Sequence, residues 1–225
     1  MNATAAADRP VLYGYWRSSS AYRVRIALNL KGIEYDYRAV NLVRDGGEQK
    51  RGAYRELNPL ALVPTLLLGE RRINQSVAIC EYLEEAWPGP PLLPAEAEGR
   101  ARVRAIVQTI ACEIQPLNNS GVMRYLSEQL QQSEEQVRRW YAHWIERGFA
   151  AIETWLQSPA TGRFCHGDAP TLADCFLVPQ VYNAERFDCD LGAYPRLMAI
   201  AGRCRSLEPF IAASPERQPD AVPAA

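Results

Sequence analysis

The sequence predicts a two-part chain, a mixed α/β domain followed by an all-helical one, and three observations carry that expectation. Strand-like and helix-like segments alternate in the order βαβαββα as far as Trp87. The cluster Pro88-Gly89-Pro90-Pro91 then interrupts the chain, and beyond it only helical periodicity recurs. The expected division is residues 1–88 and 89–225, and at 48% hydrophobic composition each part can bury a core of its own.

Taken in order, Val11-Leu12-Tyr13-Gly14-Tyr15-Trp16 is rich in strand formers. Ser18-Ser19-Ser20 opens a helix that runs through Val24, Ala27 and Leu28 and stops at Lys31-Gly32. Glu34 to Leu42 reads as the second strand, and a polar, Gly-containing stretch leads to a short helix ending near Asn58-Pro59. Thr65-Leu66-Leu67-Leu68 and Arg71-Arg72-Ile73 flank Gly69-Glu70, a II′ hairpin turn by composition. Ser76 opens the next helix, through Ile79 and Leu83 to Trp87. After the proline cluster, amphipathic segments run over Glu96–Asn118, Glu134–Leu156, Thr171–Asn183 and Tyr194–Leu207. The tail from Ser214, with Pro215, Pro219 and Pro223, is expected to fray or drape on the surface.

Composition excludes several function classes. A net charge of -1 gives no bulk attraction for nucleic acid or anionic membrane. No run approaches the about 20 apolar residues of a membrane span, and Met1–Pro10 has no hydrophobic signal core, so a cytoplasmic protein is expected. Its six cysteines, Cys80, Cys112, Cys165, Cys175, Cys189 and Cys204, show no metal or redox spacing and read as reduced, buried small hydrophobes. The only histidines are His143 and His166. With no G-x-S-x-G, H-E-x-x-H, P-loop or G-x-G-x-x-G, neither a serine hydrolase nor a metal or nucleotide site has support. Apart from Lys31 and Lys50 every basic residue is arginine, which fits a composition bias as readily as carboxylate recognition.

Three local features carry chemistry. Ser18, Ser19 and Ser20 sit between a strand and a helix. A serine there can cap the helix by accepting first-turn N–H groups, or donate to a thiolate drawn to the positive helix end and lower its pKa; both readings stand. Val63-Pro64-Thr65 opens an apolar strand. Either the proline simply starts the strand, or a cis bond leaves the Val63 backbone free to pair with an extended peptide. At Gln75-Ser76 the serine is a natural N-cap, and could equally present its hydroxyl and N–H to a carboxylate. Thr171-Leu172-Ala173-Asp174 fits a capping box and reads as structural.

From Leu12 to about Asp220 the ordered set of motifs resembles the cytosolic glutathione transferases, and within them the zeta class, the maleylacetoacetate isomerase family. The stretches that carry this are Tyr15-Trp16-Arg17-Ser18-Ser19, Arg23-Val24-Arg25-Ile26-Ala27-Leu28, Leu57-Asn58-Pro59 with Val63-Pro64-Thr65-Leu66, Gln75-Ser76, Ile114-Gln115-Pro116-Leu117-Asn118-Asn119 and Asn183-Ala184-Glu185-Arg186-Phe187. The resemblance implies a thioredoxin-like glutathione-binding domain, a helical domain completing the electrophile site, and a homodimer. It implies that Ser18 donates to the glutathione sulfur with Ser19 and Ser20 in the same loop, and that Gln49 lies near the glycyl end. Val63 would pair with the cysteinyl unit, Gln75 and Ser76 would hold the γ-glutamyl carboxylate, and Gln115 and Asn119 would close the site from the helical domain. Arg17 and Arg186 would hold the carboxylates of a small dicarboxylate substrate. The family often has S-S-C where this chain has Ser20, which removes thiol chemistry at that position.

The reaction this implies is cis–trans isomerisation of a maleyl diacid, maleylacetoacetate to fumarylacetoacetate, by reversible addition of the glutathione thiolate, with no metal. Similar bacterial maleylpyruvate isomerases, some with paired arginines where this chain has Ser120-Gly121, give a close alternative. A general glutathione transferase acting on other electrophiles gives a second, and a non-catalytic thioredoxin-fold binding module a third.

Overall fold

The computed structural model describes residues 9–222. Among them, residues up to Pro91 form one compact unit together with those from Leu207 onward, and Leu92–Ser206 form the other.

The first unit is built on a four-stranded sheet of order β2-β1-β3-β4, with β1 Val11–Gly14, β2 Asp36–Ala39, β3 Thr65–Leu68 and β4 Arg71–Asn74. β1 and β2 are parallel, joined through helix α1, Ser19–Leu30, and β1–β3 and β3–β4 are antiparallel. Helix α2, Gly52–Leu57, precedes β3, and α3, Ser76–Ala86, follows β4, so the order is the βαβαββα of the sequence. The hairpin encloses Gly69-Glu70 with Leu68 paired to Arg71. Gly69 takes φ +57° and Glu70 stays negative, the pattern a II′ turn requires. The central strands supply the buried Leu12, Leu66 and Leu68, while the edge strands carry exposed Asp36, Arg71 and Arg72.

Helix α1 is buried from Ser19 to Leu28 apart from a half-exposed Ser20. It packs against α3 and also against α9, Glu208–Ala213. That second contact corrects the expectation for the tail. Asn29 Nδ2 donates to the Pro209 carbonyl at 2.9 Å, Arg25 Nε to that of Ala213 at 2.9 Å, and Pro215 and Gln218 are buried. The segment from Leu207, expected as part of residues 89–225 to belong to the helical domain, lies instead with the first unit, where it covers the side of α1 that α3 leaves open. Lys31, nearly buried, bonds Glu84 at 2.9 Å and the Pro90 carbonyl at 3.4 Å, anchoring the proline cluster to the sheet domain.

The second unit is helical throughout. Helix α4, Ala97–Gln108, continues through a π turn, Thr109–Ile114, and a 3-10 turn, Gln115–Leu117. A short α5, Ser120–Arg124, passes into a second π turn, Tyr125–Gln129. Helix α6, Glu134–Trp155, opens on a Ser133/Gln136 capping box, and its Gly148 lets the Ile114 side chain seat against its backbone where any Cβ would collide. Helix α7, Leu172–Arg186, is buried almost all round, packed by α4 and by α8, Pro195–Arg205. The Thr171/Asp174 box forms as read: Asp174 Oδ2 accepts from Thr171 N at 2.8 Å and from its hydroxyl at 2.9 Å, and Oδ1 from Cys165 N at 2.9 Å. Two cysteines depart from expectation: Cys112 is exposed and Cys189 half-exposed, while the other four are buried and all are free thiols. Among the described residues no helix is long and apolar enough to cross a membrane. Of the stretch Met1–Pro10 read for a signal core, all but Arg9 and Pro10 lies outside the described residues.

Candidate active site

Sheet topology gathers most of the sequence candidates of the first unit at one end. β1 and β4 finish there and β3 starts there, with Tyr13 opposite Thr65 and Thr65 opposite Asn74. Val63 lies two residues before Thr65, and the chain leaves β1 toward Tyr15 and β4 toward Ser76 at this same end. β2, parallel to β1, ends at the same edge and leads into the loop of Gln49.

The chain leaves β1 through a turn in which Ser18 N donates to the Tyr15 carbonyl at 3.0 Å. Ser18 is the N-cap of α1, with φ −70° and ψ 114°, and its Oγ accepts from Ala21 N at 3.2 Å. Accepting that bond uses a lone pair and leaves the hydroxyl proton free, so one side chain can cap and donate at once. Ser19, buried, and Ser20, half-buried, are the first two helical residues, and their N–H groups belong to the unpaired first turn. Arg17, half-buried, lies with its guanidinium carbon 4.6 Å from the centre of the Trp16 ring.

The Val63–Pro64 bond is cis, and Val63 stands outside the ladder that begins at Thr65. Its loop is tied down by the Leu62 carbonyl, which accepts from Tyr54 Oη at 2.7 Å and Asn58 Nδ2 at 2.8 Å. At the other strand the structure moves the helix start by one residue. Gln75, not Ser76, is the N-cap of α3, at φ +72° and ψ 123°, and no side chain caps that helix. A glutamine at positive φ is strained backbone of the kind that gathers at ligand sites. Ser76 instead turns its hydroxyl inward, 6% exposed, to accept from Arg23 Nη1 at 3.2 Å. Its N–H begins a first turn that no side chain caps, the kind of helix start that favours an anion. Gln49 folds back over Gly47, whose φ of +105° admits no side chain there, and its Oε1 is buried.

In the second unit Gln115 opens the 3-10 turn and is half-buried. Asn119 is the N-cap of α5: its Oδ1 accepts from Gly121 N at 2.8 Å and Val122 N at 3.0 Å, and Nδ2 donates to the Pro116 carbonyl at 2.8 Å. Its oxygen is thus committed to the helix start. Arg186 is exposed in the last turn of α7, with its guanidinium carbon 4.8 Å from the centre of the Phe187 ring. Among the described residues no group of three or more His, Cys, Asp or Glu could hold a metal ion.

Sequence reasoning missed the residues that hold this site up. Arg23 and Arg25 are 1% and 0% exposed on α1. Arg23 joins α1 to the start of α3 through Ser76. Arg25 Nη2 donates to the Trp16 carbonyl at 3.0 Å, and Trp16 N donates to Asp220 Oδ2 at 3.0 Å. Burial pushes the Arg25 guanidinium below its ordinary value, opposed by Tyr37, Tyr35, Tyr22 and Asp220 around it. No local pattern announces these pairs, whose members lie up to 204 residues apart.

The mixed four-stranded sheet, the serine turn at a helix start and the separate helical unit define a protein of the glutathione S-transferase fold. Family models agree on both parts: the glutathione S-transferase N-terminal domain matches residues 17–86 and the C-terminal domain residues 138–201. A probable maleylacetoacetate isomerase of Vibrio cholerae is 51% identical over 94% of this chain and 98% of its own. Among solved structures, a maleyl pyruvate isomerase described as a bacterial glutathione S-transferase of the zeta class superposes with TM-score 0.91 at 46% identity, over 94% of this chain and all of that one. The maleylacetoacetate isomerase of Anaeromyxobacter dehalogenans, 49% identical with TM-score 0.84 over 95% of this chain and 98% of that one, holds dicarboxyethyl glutathione and citrate in its active site. The chain belongs to the glutathione S-transferase family and, within it, to the zeta class.

Proposed function

We propose that this protein is a glutathione-dependent cis–trans isomerase of a maleyl diacid, converting maleylacetoacetate to fumarylacetoacetate. The observation that carries this reading is the Ser18 hydroxyl, which caps α1 by accepting and keeps its proton to donate to a glutathione thiolate at the same helix start. The uncapped first turn of α3, with Gln75 and Ser76, takes the γ-glutamyl carboxylate. Val63 pairs its backbone with the cysteinyl unit, and Gln49 stands by the glycyl end. Ser19 and Ser20 add first-turn amides to the thiolate's surroundings.

Rotation about a carbon–carbon double bond is too slow to be useful. The thiolate adds to one alkene carbon, and the electron pair moves onto the neighbouring carbon and its conjugated carbonyl. The bond, now single, rotates, and the pair returns to expel the thiolate, leaving the trans product and glutathione unchanged. The protein stabilises the thiolate and the enolate-like charge of the adduct. Arg17 and Arg186 bind the substrate's carboxylates in planar, charge-assisted contacts, and Gln115 and Asn119 serve the same site. Support comes from the Anaeromyxobacter relative, whose bound dicarboxyethyl glutathione is a thioether carrying two carboxylates, the kind of product that thiolate addition to a maleyl alkene gives. The working protein is a cytoplasmic homodimer in this reading, with no nucleic acid or membrane partner.

The test is a spectrophotometric assay of maleylacetoacetate and maleylpyruvate with and without glutathione. Glutathione-dependent loss of the cis isomer, faster for maleylacetoacetate, is expected. Faster turnover of maleylpyruvate would transfer the assignment to that substrate, which the 46% identical zeta-class relative makes the nearest rival. Conjugation of neutral electrophiles with neither diacid turned over would sink the isomerase reading.

A further inference from the structure

The turn that presents Ser18 is held by the segment that follows Leu207. Between the end of β1 at Gly14 and the start of α1 at Ser19, the backbone of Tyr15 and Trp16 belongs to no regular element. Its polar groups find partners all the same. The Tyr15 carbonyl accepts from Ser18 N at 3.0 Å and, more distantly, from Arg25 Nη1 at 3.5 Å. The Trp16 carbonyl accepts from Arg25 Nη2 at 3.0 Å, and the Trp16 N–H donates to Asp220 Oδ2 at 3.0 Å. The same guanidinium reaches the later segment through Arg25 Nε and the Ala213 carbonyl, 2.9 Å.

That segment is braced for the task. α9 packs on α1, Asn29 holds the Pro209 carbonyl, and a 3-10 turn over Pro215–Arg217 redirects the chain. Gln218 Nε2 then ties the segment to itself through the carbonyls of Ala212, 3.0 Å, and Ser214, 2.8 Å. Two residues further on, Asp220 meets Trp16. A carboxylate bound to a backbone N–H is the stronger, charge-assisted kind of hydrogen bond, and its second oxygen, Oδ1, is buried.

We propose that Asp220 is a positioning residue for Ser18. Through the Trp16 N–H, with Arg25 holding the Trp16 carbonyl, the Leu207–Ala221 strap fixes the Tyr15–Ser18 turn and so the direction in which the Ser18 hydroxyl donates. The inference rests on the reading of Ser18 as donor to the glutathione sulfur. It goes beyond that reading in making the strap, far along the chain, part of what activates the thiol. A donor must stand within a few tenths of an ångström of its place, and a displacement of about 1 Å can lower a rate on the order of 100-fold.

The experiment compares the parent with Asp220→Ala, Asp220→Asn and a chain ending at Gln218. Four properties are read well below each melting point: amide exchange at Trp16, the ultraviolet titration of bound glutathione thiolate, glutathione affinity by calorimetry, and kcat. Asp220→Ala and the shortened chain should both speed Trp16 exchange, shift the thiolate titration to higher pH and lower kcat roughly 10- to 100-fold. Glutathione affinity, measured at a pH below the titration where the bound thiol is protonated in every variant, should change by less than about threefold, because capture lies with Gln75 and Ser76. Asp220→Asn keeps an oxygen for the Trp16 N–H and should recover most of kcat. Unchanged thiolate titration and kcat in both loosened variants would overturn the proposal, and so would kcat and affinity falling in step, the signature of a merely destabilised fold. Should Asp220→Ala not fold, the shortened chain and Asp220→Asn separate the same outcomes. A parent that neither binds glutathione nor isomerises would retire the functional reading alone. Trp16 exchange would then decide whether the clamp exists, unchanged exchange overturning it.

Discussion

At Ser18 a single hydroxyl can serve two partners, and the two roles separate experimentally. Ser18→Ala removes the cap on Ala21 N and should lower stability by about 1 kcal/mol. It should also raise the pKa of bound glutathione and slow turnover about 10²–10³-fold, as expected for a lost donor at developing charge. A titration of the bound thiolate identical to the parent's, with only the melting point lowered, would leave Ser18 a cap and nothing more. Ser76 differs. Its hydroxyl accepts from Arg23 and its N–H belongs to a first turn that no side chain caps, so Ser76→Ala should weaken glutathione by roughly 1–3 kcal/mol as that turn shifts. Calorimetric affinity equal to the parent's would confine Ser76 to the Arg23 contact. The contrast shows what was legible in the sequence. A serine between strand and helix announces a helix start, and Ser18 is one. Nothing local announces that Gln75 adopts positive φ and displaces Ser76 from the cap, because that choice is made by where β4 delivers the chain.

Among the elements, those long enough to repeat an apolar stripe were readable from sequence: α4, α6 and α8 fall within segments of helical period, and α7 runs three residues past the end of its segment, to Arg186. The pieces that escaped are short or irregular. α5 and α9 span 5 and 6 residues, less than two full turns, and the π turns over Thr109–Ile114 and Tyr125–Gln129 have a different period. The Thr171/Asp174 box was readable because its partners are three residues apart, but its third bond, to Cys165 N, was not. Burial raises the Asp174 carboxyl above its ordinary value, with the bonds from Cys165 and Thr171 working against that shift. A carboxyl raised in the folded state favours folding below its unfolded value, about 3.9, and loses that contribution as pH rises through the folded value. The stability of the parent minus that of Asp174→Asn should therefore fall as pH rises from about 4 toward neutrality. Asp174→Ala, which strips the partner from Cys165 N and Thr171 N, should lower stability by about 2–4 kcal/mol at neutral pH, read by denaturant unfolding. A difference that grew with pH would mean that the ionised carboxylate is the favoured folded form.

For the molecule as a whole, charge sets the problem of substrate choice. With 25 basic and 26 acidic residues the net charge is -1, so no general field draws in a dianion and recognition must be local. By its place in the sequence Arg186 has a rival explanation, pairing with Glu185, Asp188 or Asp190 on the surface. The structure weakens it: Glu185 is taken by Arg205 in a two-pronged bond of 2.8 and 2.7 Å, and among the described residues no ion pair engages Arg186. Both Arg17 and Arg186 instead lie against aromatic rings, Trp16 and Phe187, an arrangement that restrains a guanidinium while leaving its N–H edge open to a carboxylate. Arg17→Met and Arg186→Met keep much of the apolar stem and remove the charge. Each should lower kcat/KM for the maleyl diacids by roughly 10- to 100-fold, the worth of a charge-assisted bond of about 1.5–3 kcal/mol. Conjugation of an uncharged electrophile and the affinity for glutathione should move by less than about threefold, since neither involves those carboxylates. Added salt should weaken the parent's kcat/KM for the diacids more than that of either variant, because neither the exposed Arg186 nor the half-buried Arg17 is shielded from screening ions. Equal losses on charged and neutral substrates would place both arginines among the residues that shape the fold, and the preference for a diacid would then need another source of positive charge.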